Sequence, residues 1–212
     1  MKTIGAFLLL LLVSTTGFAG GQWVLKRDED GIKVYTAIQE NSPFRLVKVE
    51  CTMSARPSQL VAYLLDISKQ TEWVYNTATA RLLKQAAPND VTFYAEVSVP
   101  WPCTNRDYVA HFTVAQPSPK LITIESHTEP DLLPEQKGKI RVRKSSAHWD
   151  IISLSAEELR VVYVVAFDPA GSVPAWLTNL FVAKGPYETF QKLRTGLNKP
   201  EYRSARLPFI KE

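Results

Sequence analysis

Three histidines, two cysteines and a scatter of carboxylates could do chemistry in this chain, and their spacing decides how much. His111, His127 and His148 stand at least sixteen residues apart, with no HExxH or other close pair to set two imidazoles on one metal ion. Cys51 and Cys103 lack CxxC spacing. No GxSxG elbow exposes a nucleophilic serine, and neither a P-loop nor a dinucleotide-binding glycine fingerprint occurs. Glu96 and Glu125 fall in alternating runs whose polar face defaults to solvent. No catalytic residue, metal site or cofactor is therefore expected. Arg106, Asp107 and Arg141 make a tempting polar cluster, but their places at strand ends predict hydrogen bonds that tie loops together. Trp101, Trp149 and Trp176 are expected in the core, with stacking on a ring-bearing ligand as the alternative.

The elements that would position such residues can be read from periodicity. A charged turn, Arg27 to Gly31, follows Trp23. Residues 32–38 and 44–53 are β-rich runs split by Asn41-Ser42-Pro43, which predicts a hairpin. From Pro57 the period changes: Leu60, Tyr63, Leu64 and Ile67 recur at helical steps, with the cap at Ser54 or Arg56 and Pro57 in the first turn. A second short helical turn holds Glu72-Trp73-Val74. From Ala80 to Asp168 strand follows strand, with Val91, Phe93, Ala95, Val97 and Val99 alternating with Thr92, Tyr94, Glu96 and Ser98. The short Pro-, Ser-, Asp- or Gly-bearing separators predict antiparallel neighbours throughout. The last pattern is helical: Val173, Trp176, Leu177, Leu180 and Phe181, then Tyr187, Phe190, Leu193 and Leu197. Gly185-Pro186 interrupts it and predicts a kink, with a hinge as the second reading. A long meander curls, and an amphipathic helix needs a concave face to cover, so the fold class is α+β with room for a cavity.

The first two dozen residues differ from the rest. Lys2, the unbroken apolar run Phe7 to Val13, and the small residues Gly17 and Ala19 follow the order of a secretory signal peptide, too short to span a bilayer. Removal of residues 1–19 from the 212 leaves 193, with the net charge lowered from +4 to +3. That charge is too small to imply nucleic acid as a partner. The expected location is the periplasm, or the outside where there is no outer membrane. Two cysteines are not a disulfide scaffold, and either a Cys51–Cys103 bridge or two separate thiols is compatible with the sequence. One domain, residues 20–198, is expected, followed by a polar tail at 199–212 that either packs back or stays solvated.

Four separated stretches resemble one family, the START lipid-transfer domains with the helix-grip fold. They are Trp23 with Asp30-Gly31-Ile32-Lys33-Val34-Tyr35, the segment Val99-Pro100-Trp101-Pro102-Cys103-Thr104-Asn105-Arg106-Asp107-Tyr108-Val109, the strand start Gly138-Lys139-Ile140-Arg141, and the run Asp168 to Leu177. The resemblance covers nearly the whole chain after the leader. It implies a curved antiparallel sheet wrapped around a long C-terminal helix, enclosing a hydrophobic tunnel for a single lipid-like molecule. The expected protein is a non-enzymatic, monomeric carrier whose partners are lipids and, transiently, a membrane surface.

In the phosphatidylcholine-transfer and cholesterol-binding branches of that family an arginine six residues beyond the Arg-Asp arginine points into the tunnel. Here that position is Phe112, and the cholesterol branch's partner acid aligns near Thr92. Both anchors are thus absent, which implies a more apolar tunnel or one anchored from another strand. The expected lining is Thr92, Tyr94, Tyr108, Ala110, Phe112, Leu177, Phe181, Phe190 and Leu193, with His111 pointing away. Two alternatives stay open: a cyclase- or dehydratase-like enzyme on the same fold, which needs an acid–base pair inside the cavity, and an interaction module whose tunnel is filled by its own side chains.

Overall fold

The turn between the first two described strands follows from its backbone. In the computed structural model, which describes residues 22–38, 45–168, 170–171, 174, 177–178 and 180–212, Asp30 and Gly31 both have positive φ (51° and 69°). Two such residues make the tight hairpin turn whose twist matches its strands. They join β1 (Val24–Glu29) to β2 (Ile32–Ile38), so Arg27, Asp28 and Glu29, expected in the turn, are strand residues instead. Strand β3 (Arg45–Ser54) pairs antiparallel with β2, as the predicted hairpin requires.

Helix α1 (Pro57–Leu65) starts where the cap was expected, with Arg56 in the extended N-cap conformation and its backbone N–H donating to Gln59 Oε1 at 3.2 Å. A 3₁₀ turn (Ile67–Lys69) and the short α2 (Gln70–Trp73) carry the chain to the far edge of the sheet. There β4 (Thr77–Ala87), β5 (Asp90–Val97), β6 (Asn105–Ser118) and β7 (Leu121–Thr128) run as successive antiparallel neighbours. The next strand breaks the expected pattern. Strand β8 (Lys139–Arg141) is three residues long and pairs parallel with β6, while β7 pairs directly with β9 (Ser145–Ser155). The long 129–138 connection allows it, because it is not the tight turn that would force antiparallel pairing. Strand β10 (Glu158–Phe167) lies between β9 and β3, giving the order β1-β2-β3-β10-β9-β7-β6-β5-β4 in a ten-stranded sheet with β8 attached to β6.

The kink predicted at Gly185-Pro186 is realised as a wider coil. A π-helical stretch (Leu180–Lys184) runs into α3 (Gly185–Gly196), so the proline sits in the first turn of α3, where its missing N–H breaks no α-helical bond. Tyr187, Phe190, Leu193 and Leu197 are all buried against the sheet. Phe190 stacks on Trp149 of β9 at 5.4 Å between ring centroids. Fully burying each such side chain contributes about 1.5–3 kcal/mol, so this face holds helix to sheet. The last segment also packs down. Helix α4 (Pro200–Arg203) buries Tyr202, whose hydroxyl donates to Asp66 at 2.8 Å, Ile210 is buried, and Arg56 reaches the carbonyls of Arg203 and Ala205 and the carboxylate of Glu212. The 199–212 tail is docked rather than solvated.

One close approach depends on a missing side chain. A Cβ at Gly196 would lie 2.3 Å from Tyr63 Oη and 2.4–2.5 Å from its ring carbons. The Tyr63 ring is buried and flanked by Tyr202 (4.4 Å) and Trp73 (6.0 Å), so it cannot step aside. Gly196→Ala is expected to lower stability by about 1–3 kcal/mol, read as a shift in the urea midpoint, through overpacking. An unchanged midpoint contradicts this contact.

Candidate functional site

The sheet and the C-terminal helical segment do not close completely on one another. Between them lies a cavity of about 320 Å³, within the range of small-molecule sites. Strand register explains its wall. Ala110 on β6 faces Phe93 on β5 and Thr128 on β7, Phe112 faces Ser126, and Ser126 faces Ala147 on β9. Cross-strand partners share a face, so these residues point inward together, joined by Trp149 and Tyr163. Leu177, Phe181, Gly185, Pro186, Thr189 and Phe190 close the opposite side.

Of the nine residues expected to line a tunnel, six border this cavity: Tyr108, Ala110, Phe112, Leu177, Phe181 and Phe190. Thr92 and Tyr94 do not. Thr92 pairs with His111 and Tyr94 with Val109, which places both on the outer face, while Phe93 takes the inward position. The Tyr94 hydroxyl there accepts from Lys139 Nζ at 3.1 Å, and Arg81 lies over its ring. Leu193 is fully buried in the core rather than on the cavity wall. His111 points outward as expected, paired with Asp90. Trp149 is both core and cavity wall, Trp101 is 90% exposed rather than core, and Trp176 lies outside the described residues. The wall residues Phe93, Val97, Ala147, Tyr163, Val165 and Phe167 were not singled out from sequence.

The polar cluster divides by strand alternation. Asp107 points to the outer face and accepts two hydrogen bonds from Arg141, Nε to Oδ1 at 2.9 Å and Nη2 to Oδ2 at 3.0 Å, with both side chains 1% exposed. Arg141 also donates to the carbonyls of Pro130, Leu133 and Pro134, so the pair ties the 129–138 loop to the sheet, the structural role expected of it. Arg106 faces the other way and lines the cavity. It is buried, and Nη1 donates to Thr104 O at 2.5 Å. Among the described lining residues it is the one formally charged side chain. The inferred loss of an anchor at Phe112 therefore coexists with a cation on the same strand, at the cavity's edge.

Burial pushes the Tyr108 phenol up to about 12 and raises that of Tyr163 too, the nearby Tyr108 adding to the second shift. Both remain neutral at ordinary pH and can donate hydrogen bonds to a ligand oxygen. Among the described lining residues no carboxylate accompanies them. Cys51 and Cys103 are both free, so the bridge between them is not formed. Burial pushes the Cys51 thiol up to about 12 against the pull of Arg194, which keeps it unreactive.

On the outer face, His148 Nδ1 lies 2.6 Å from Glu125 Oε1 and Nε2 lies 3.0 Å from Asp150 Oδ1. Burial alone pulls its pKa down, but the two carboxylate hydrogen bonds outweigh it and hold it above the ordinary 6.5. A raised folded-state pKa gives stabilisation that is full below the unfolded value and lost as pH rises through the folded one. The stability advantage over a His148→Ala variant is expected to shrink by up to about 1 kcal/mol between pH 5.5 and 8.5, by urea denaturation, because the site is partly solvated. A constant difference contradicts the pairing.

Comparisons with known proteins agree with this architecture. The START domain family model matches residues 9–203. An uncharacterized protein of Pseudomonas aeruginosa is 31% identical over 194 residues, covering 90% of this chain and 96% of that protein. The phosphatidylcholine transfer protein of Mus musculus is 26% identical over 179 residues, 82% of each chain. Among solved structures, a STAR-related lipid transfer protein fragment from Xanthomonas axonopodis superposes with a TM-score of 0.76 at 35% identity, covering 84% of this chain and 99% of that one.

Proposed function

We infer, from the premise that the chain belongs to the START domain family, that its cavity takes up one lipid-like amphiphile and that the protein carries it outside the cytoplasm. The observation that supports this reading is the cavity itself: an aromatic and aliphatic chamber between sheet and helix, with Arg106 the one buried cation among its described lining residues. An acyl chain or ring system against Phe112, Trp149 and Phe190 gains about 0.8 kcal/mol per methylene removed from water. A phosphate or carboxylate oriented toward Arg106 gains a charge-assisted hydrogen bond, and Tyr108 and Tyr163 can donate to ester or hydroxyl oxygens.

Such a chamber has to open for exchange, and Gly185-Pro186, which line it at the junction of the π-helical stretch and α3, are the place we assign to that movement. Membrane contact is assigned to Trp101, whose exposed indole in a Pro-flanked turn suits the lipid–water interface. Export rests on the signal-like residues 1–19, which lie outside the described residues.

The test is transfer of fluorescent phosphatidylcholine from donor to acceptor vesicles. The full chain should accelerate it at least about tenfold, and Trp101→Ala should slow transfer several-fold while leaving binding intact. A chain that neither binds nor moves any phospholipid or fatty acid in such an assay sinks the carrier reading. Chemical conversion of the bound molecule would favour the cyclase- or dehydratase-like alternative.

A further inference from the structure

On the outer face of the sheet, at a place where His127 also borders the cavity, the fold brings together two histidines that sixteen residues of sequence keep apart. His111 of β6 and His127 of β7 are directly paired across the antiparallel ladder, with their rings edge to face at 5.2 Å between centroids. Glu129 lies two residues beyond His127, which returns it to the same face. His111 Nδ1 lies 3.9 Å and His127 Nε2 lies 4.0 Å from Glu129 Oε1, and one ligand atom from each of the three residues falls within 4.8 Å of the others.

We propose that His111, His127 and Glu129 form a binding site for a divalent cation of the zinc class. Two imidazoles and a carboxylate are a donor set that suits such borderline ions. Around a tetrahedral ion with bonds of about 2.0–2.2 Å the donor atoms stand about 3.3–3.6 Å apart. The two measured separations need to close by roughly half an ångström, within the reach of small side-chain torsions.

A second observation, independent of the ligand set, fits the same reading. His111 Nε2 lies 2.9 Å from Asp90 Oδ1 on β5. In the tautomer whose Nε2–H donates to that carboxylate, Nδ1, the nitrogen nearer Glu129, is the lone-pair donor. This is the outer-shell arrangement that orients metal-binding histidines. The pair is solvent-accessible, with the His111 and His127 side chains 24% and 58% exposed, so an ion can enter and keep water in its fourth position. Occupancy would clamp β6 to β7 where Ala110, Phe112, Ser126 and Thr128, the sequence neighbours of the two histidines, line the cavity. Histidine spacing along the chain predicts no metal site; the proposed one depends on the β6–β7 register.

The test is calorimetric titration of the chelator-treated full chain with Zn²⁺, alongside its thermal midpoint. One ion per chain is expected at micromolar affinity, and a hundredfold excess over Kd should raise the midpoint by about 5–10 °C. His127→Ala and Glu129→Gln should each weaken binding at least about tenfold, and Asp90→Asn about tenfold or more through loss of the orienting carboxylate. His148→Ala, which removes the separate His148–Glu125 and His148–Asp150 contacts, should leave Zn²⁺ affinity unchanged. Failure to bind Zn²⁺, binding that survives His127→Ala, or binding lost in His148→Ala overturns the assignment. None of these readouts depends on a lipid.

Discussion

Ala110→Trp is expected to weaken ligand binding about a hundredfold while leaving the protein folded. Ala110 sits in the middle of the cavity wall, between Phe93 and Thr128 in register, and its small side chain is what leaves the space open. An indole there points into a void of about 320 Å³ rather than into packed core, so its volume is taken from the ligand and not from the protein. Displacing about four ligand methylenes at about 0.8 kcal/mol each costs roughly 3 kcal/mol, about two orders of magnitude in affinity. Titration with a fluorescent fatty acid, with circular dichroism to confirm folding, reads the effect. Full affinity in a folded variant would place the ligand elsewhere.

The largest stability effect is expected at the other face of the same strand. Asp107→Ala strips Arg141 of both of its carboxylate hydrogen bonds and leaves a guanidinium buried at 1% exposure without a counter-ion. Breaking one partner of such a pair costs about 3–5 kcal/mol, a large part of the 5–15 kcal/mol that holds a typical domain. The three loop carbonyls that Arg141 also binds retain it in place, so it cannot simply swing into water. Replacing both partners by apolar residues of similar size, Asp107→Leu with Arg141→Met, should recover most of the loss, since no unpaired charge is left. Urea denaturation of the three proteins decides it. A single variant as stable as the parent would show the pair to be dispensable.

Much of the fold was legible because its signals are local. The helical step from Leu60 to Leu64, the two-residue alternation of β5 and the stripe Tyr187–Phe190–Leu193–Leu197 each survive into the structure, while Ile67 opens a separate 3₁₀ turn. The misplacement of Thr92 and Tyr94 is instructive, because the alternation itself pointed the other way. On β5 the apolar phase is Val91, Phe93, Ala95 and Val97, and that is the phase facing inward. An aligned position carried over from relatives put Thr92 at the tunnel, and a shift of one residue exchanges the two faces. The same period of two separates Arg106 from Asp107, adjacent residues that a cluster reading treated as one group.

What was not legible depends on register between strands and on the path of connections, which the period of a single strand does not carry. The parallel β8 arises from the path of a ten-residue connection, 129–138, which periodicity does not describe. The His111–His127 pair exists only through the β6–β7 register, so histidine spacing along the chain concealed it. The aromatic wall from Trp149, Tyr163 and Phe190 likewise needs the β9–β10 register and a helix docked on that hairpin from later in the chain.

Native mass spectrometry of the full-length gene product, recovered from the compartment where it resides and followed by organic extraction, interrogates the hollow between sheet and helix most directly. One amphiphilic molecule per chain is expected, released by solvent and reacquired on incubation with vesicles. A chain that emerges empty and takes up nothing from a panel of fatty acids, phospholipids and sterols contradicts it.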